Sequence, residues 1–136
     1  MEVQELEELL ELEKKLYQKL SAVLDQTRQL SDAVDRHDQA SVRMVLDMRQ
    51  KSVLELQEVQ AYLSLKRCDL SGGDVQRFDR ILAGTASGPG EAPAAEQAAS
   101  NSRLARRLLE LDRAVNRRLC GSRSCYGPDP AQAEQP

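Results

Sequence analysis

From Leu6 to Val34 the apolar residues of this chain recur at alternating three- and four-residue steps, and that recurrence decides what it can fold into. Leu6, Leu9, Leu16, Leu20, Val23, Leu30 and Val34 carry the stripe, and Leu10, Tyr17 and Leu24 widen it on one side. Such spacing marks one face of an amphipathic α-helix and excludes a strand. Glu5, Glu7, Glu8 and Glu11 come early and Lys14, Lys15 and Lys19 follow. That order suits both the helix dipole and i,i+4 pairing. The helix predicted from Val3 to Val34 is about 45 Å long at 1.5 Å per residue.

The rest of the chain repeats the pattern with interruptions. "DRHDQAS" breaks the first stripe, and Asp38 there is suited to cap a second helix. Val42, Val45, Leu46, Val53, Leu56, Val59 and Leu63 then resume the spacing. Two long amphipathic helices joined by so short a break fold back as an antiparallel hairpin, expected over residues 1–70. One continuous helix through Asp38 is the alternative, since the break contains neither Gly nor Pro.

"CDLSGGD" ends the second helix, and Val75, Phe78 and Leu82 predict a short helical segment over 71–83. "AGTASGPGEAPAAEQAAS" reads as a flexible linker over 84–100, with little to bury. Ser100 or Asn101 then caps a last helix over 101–120, carrying Leu104, Leu108, Leu111, Val115 and Leu119. Residues 121–136 read as a disordered tail. The fold class expected is all-α: a long helical hairpin plus a flexibly tethered C-terminal helix, in one domain.

Composition narrows the function. The chain has 136 residues, a net charge of -3, no Trp and only 3% aromatic residues. A core with so few rings must be made of Leu and Val seams between helices. Cys68, Cys120 and Cys125 form an odd set without a CxxC pair, which favours a reducing compartment. The acidic start "MEVQELEELLELEKK" is the opposite of a signal or transit peptide, and no apolar run has membrane-spanning length. The expectation is a cytoplasmic protein with no membrane insertion.

Candidate chemistry is sparse. Asp35, His37 and Asp38 are metal- or proton-binding residue types, but they sit in a helix connection, where a solvated cap is the commoner role. "SGGD" lacks the Lys-Ser/Thr and the preceding strand of a phosphate cradle. No nucleophile has a base at suggestive spacing, so neither an enzyme nor a cofactor is expected. Arg49 falls where the second helix's seam calls for an apolar residue. Its stem is expected over the seam with its head reaching an acid across the hairpin; a register device or a contact to a partner is the sharper alternative. Arg103, Arg106, Arg107, Arg113, Arg117, Arg118 and Arg123 form a basic run, but without aromatic interleaving or a known module nucleic acid is not expected as a partner.

"SCYGPDP", Ser124 to Pro130, keeps one of the few aromatic rings in a segment otherwise built to stop helices. With it, the chain resembles the FlgN-type flagellar export chaperones. The resemblance lies in the acidic-to-basic first helix, the short polar break, the second helix rich in Gln and charge, and a last helix opened by Asn101 with Leu104 following. Tyr126-Gly127 matches the family's terminal pair, and Pro130 stands where that family shows a second glycine. The resemblance implies a cytoplasmic chaperone of bacterial flagellum biogenesis and protein export. Its partners would be hook–filament junction proteins, kept from premature assembly, together with export-apparatus components. It also implies that Asn101, Leu104, Leu108, Leu111, Val115, Leu119, Tyr126 and Gly127 bind the client. A structural coiled-coil adaptor that oligomerises is the alternative reading.

Overall fold

A computed structural model describes residues 1–120, which form four helices: α1 (Val3–Asp35), α2 (Gln39–Cys68), α3 (Gly73–Leu82) and α4 (Ala92–Cys120). The all-α class and the long hairpin stand as expected. No described helix is long and apolar enough to cross a membrane.

Residues 36–38 turn the chain sharply. His37 takes a left-handed backbone (φ 57°) just past the end of α1. The His37 and Asp38 amides donate to the Val34 and Ala33 carbonyls, at 3.1 and 3.0 Å. These are the paired bonds of a left-handed helix cap. Asp38 then opens α2 as the sequence predicts: its carboxylate accepts the Ser41 amide at 3.1 Å and the Ser41 hydroxyl at 2.6 Å. Those donors hold the Asp38 carboxyl below its ordinary range. The break is therefore a turn between antiparallel helices, stitched by Lys19 to Glu55 at 3.0 Å and by Lys66 to Glu8.

Helix α4 starts at Ala92, not at Asn101, so residues 92–100 of the stretch read as linker are helical. Ala94, Ala95 and Ala98 are buried there. Alanine has the highest helix propensity and the smallest side chain, so such a segment needs no large residue to pack. Ala94 and Ala95 meet Leu6, Leu9, Leu63, Phe78 and Ile81 in one cluster. Pro93 lies in the first helical turn, where a missing N–H costs nothing.

The connection 83–91 is held as well. Glu91, fully buried, accepts two bonds from Arg77 at 2.6 and 3.0 Å and one from the Ser87 amide at 3.2 Å. Gly88 packs so close that an added Cβ would lie 2.7 Å from Glu91 Oε2. Gly84, with φ +92°, ends α3 and lets it approach Ala99, whose Cβ would be 3.3 Å from a Cβ at position 84.

Helix α1 lies at the centre. It packs against α2 on one side and α4 on the other, while α2 and α4 hardly meet. Asn101 lies beside Glu13, and Arg118 beside Ser31 and Asp35, so α4 runs parallel to α1. Three apolar clusters follow one another along the bundle. The first joins α3 to the start of α1, the second is built on Leu20, Val23, Leu24, Leu56, Leu104 and Leu108, and the third on Leu30, Val45 and Val115.

Candidate partner-binding site

The residues expected to bind a client form most of the α4 face that meets α1. Leu104 and Leu108 are buried in the middle cluster, and Val115 in the last. Leu111 is half-buried and packs against both. Leu119 is also half-buried and lines a surface cleft of about 380 Å³ with Val34, His37, Val42 and Arg118. Tyr126 and Gly127 lie outside the described residues.

Asn101 does not cap α4. It is buried in the third turn, with Nδ2 donating to Glu13 Oε2 at 2.6 Å and to the Glu13 carbonyl at 2.8 Å. Gln97 Nε2 donates to Asn101 Oδ1 at 3.1 Å. Glu13 itself is only 2% exposed, and burial raises its carboxyl pKa, an effect that the Asn101 hydrogen bond only partly offsets. A carboxyl placed so deep without a cation partner among the described residues is a standing cost in the α1–α4 seam.

A second polar group lies further along. Arg49 of α2 donates from Nε to Thr27 Oγ1 at 2.9 Å and from Nη2 to Asp112 Oδ1 at 2.8 Å. Thr27 is fully buried on α1 and its hydroxyl donates a hydrogen bond to the Val23 carbonyl at 2.7 Å. Arg49 therefore does not stop at an acid across the hairpin: it ties all three long helices together. Sequence reasoning missed both Glu13 and Thr27. Their signal was position, because each fills a step of the α1 stripe that the leucines and valines leave open.

Beside the Glu13–Asn101 pair lies a cleft of about 210 Å³, bordered by α1, α2 and α4. Leu16 and Leu20 of α1 form its floor, Gln60 and Leu63 one wall, and Asn101 and Ala105 the other. The arrangement offers apolar contact and amide hydrogen bonding, the chemistry of a helix or an extended peptide, and no constellation for bond-breaking.

The arginines of α4 point the other way. Arg103, Arg106, Arg107, Arg113 and Arg117 are exposed along the outer face and have no carboxylate partner among the described residues. Asp35, His37 and Asp38 stay at the helix turn, and no group of three potential metal ligands forms among the described residues. Protein-family models, curated proteins and solved structures were compared with the chain, and none matches it.

Proposed function

We propose that this chain is a cytoplasmic chaperone of the FlgN type, which holds the helical ends of hook–filament junction proteins until export. One observation carries the reading: the leucine face of α4 packs mainly along α1, through a seam interrupted by a buried carboxyl–amide pair. A helix whose leucine face meets mainly one neighbour, across a seam containing a buried acid, is suited to exchange with another amphipathic helix. Release of α4 frees the Leu104–Leu108–Leu111–Val115 face for a client and uncovers the matching face of α1. The cleft floored by Leu16 and Leu20 supplies a first foothold beside the docked helix. The exposed arginines serve as a solvated face in this reading.

The test is co-elution of the purified full chain with a purified junction protein. A stable complex is expected, one that survives moderate salt because its contacts are apolar. Arginine-to-phosphate binding would instead weaken steeply with salt through counterion release. Failure to retain any junction protein, or salt-resistant retention of RNA or DNA in its place, would overturn the assignment.

A further inference from the structure

Helix α2 has only four buried residues, Val45, Leu56, Val59 and Leu63, yet it is not polar on its other side. Met44, Met48, Leu54, Tyr62 and Leu65 are all exposed, from 45% at Met48 to 61% at Leu65. With Lys51 and Glu58 between them, they follow helical spacing along one exposed arc of the helix, which at Met44 borders α1 beside Gln29 and Ala33. The stripe rises about 32 Å from Met44 to Leu65. Most other large exposed apolar residues of the described chain stand singly on other helices, which is ordinary for a soluble surface. Five along one face of a single helix are not.

We propose that α2 pairs, antiparallel and about a twofold axis beside Leu54, with α2 of a second copy of this chain. The order of residues along the stripe points to that occupant. About such an axis Met44 comes level with Leu65 of the second copy, Met48 with its Ala61, and Leu54 with the second copy's own Leu54 region. The two charges in the middle of the stripe then match: Lys51 comes level with Glu58 of the second copy, and the contact occurs twice by symmetry. Neither Lys51 nor Glu58 has an ionic partner among the described residues, whereas Glu55, at the edge of the stripe, is already used by Lys19. A parallel pairing would set Lys51 against Lys51 and Glu58 against Glu58, so charge selects the antiparallel sense. Two helices side by side over this length bury on the order of 1,000 Å², the lower bound for a biological contact. The surface lies opposite the α1–α4 seam, so the dimer leaves α4 unobstructed.

The experiment is the solution mass of the full chain, by light scattering across a concentration series, with circular dichroism as the fold control. The wild type is expected at twice the monomer mass. Leu54→Glu is expected to return it to monomer without loss of helix, since Leu54 is exposed. Lys51→Glu and Glu58→Lys are each expected to weaken the dimer, and a mixture of the two variants to restore it as a heterodimer. A wild type that stays monomeric throughout overturns the proposal and leaves the stripe to a different protein's helix. A dimer unaffected by Leu54→Glu places the contact elsewhere, and charge variants whose mixture fails to associate overturn the antiparallel pairing. Should Leu54→Glu lose helix, the mixing experiment decides alone.

Discussion

Glu13 and Asn101 are the residues on which the α1–α4 seam turns, and their energetics have a definite sign. Burial raises the Glu13 carboxyl pKa, so the folded state holds that proton more tightly than the unfolded chain. Its contribution is therefore fully present below the ordinary carboxylate range and lost as pH rises through the raised value. Glu91 is the opposite case: the Arg77 guanidinium holds it low, so its contribution is present above the ordinary range and lost on acidification. Glu13→Gln keeps an acceptor for Asn101 and removes the buried charge. It is expected to raise the melting temperature at neutral pH and to abolish the gain expected of the wild type on mild acidification. A melting series from the ordinary carboxylate range up to neutral pH reads both. An unchanged pH profile would mean that Glu13 is not the group responsible. The hinge offers a second test at this scale. His37 sits at φ 57°, a conformation that costs a non-glycine residue about 1 kcal/mol or more. His37→Gly is expected to stabilise the hairpin by up to about 1 kcal/mol in denaturant melts, and a loss would mean that the imidazole makes a compensating contact.

At the scale of elements, what was legible in the sequence depended on side-chain size. Leucine and valine at helical spacing gave α1, α2 and their antiparallel turn, and Asp38 gave the start of α2. The first turns of α4 were missed because "APAAEQAAS" has the composition of a linker. Its alanines pack by being small, and a periodicity argument weights only large residues. Asn101 was misread for a related reason: Asn is a good cap, and nothing local tells a cap from a buried amide whose partner lies 88 residues away. The leucines of α4 were recognised as a face, but which neighbour would cover it depends on tertiary geometry. Close approach at the alanines makes a direct prediction. Ala95→Leu adds three carbons beside Leu6, Phe78 and Ile81 and is expected to cost about 1–3 kcal/mol through overpacking. Chemical denaturation measures it, and a neutral result would mean that α4 stands further from α1 than its burial implies.

Across the whole molecule, the polar residues inside the seams set how three amphipathic helices align. Leucine faces alone would tolerate a slip of one helix along another by a heptad. Glu13 against Asn101 fixes α4 on α1, and Thr27 with Arg49 and Asp112 fixes α2 and α4 together further along, because any slip leaves these groups buried and unpaired. One of the two devices is the weaker. The Arg49 group pairs its acid with a cation, whereas Glu13 has no cation partner among the described residues, so the α1–α4 contact at Asn101 is the less favourable of the two. If a client binds only when α4 has left α1, docking and binding compete, and whatever tightens the first weakens the second by the same free energy. Glu13→Gln tests this, because it changes the docking equilibrium from α1 while leaving every expected client-binding residue of α4 intact. For each 1.4 kcal/mol by which it stabilises the docked helix, client affinity is expected to fall about tenfold. Leu108→Ala acts differently: it is expected to cost about 2–5 kcal/mol of stability and also to remove a client contact, so its effect on affinity is mixed. The measurement is calorimetric titration of a purified junction protein into wild type and Glu13→Gln at neutral pH, with hydrogen exchange of α4 reporting docking. Slower exchange with a proportionate loss of affinity supports competition. Slower exchange with unchanged affinity means that the client binds with α4 in place, along the cleft over Leu16 and Leu20.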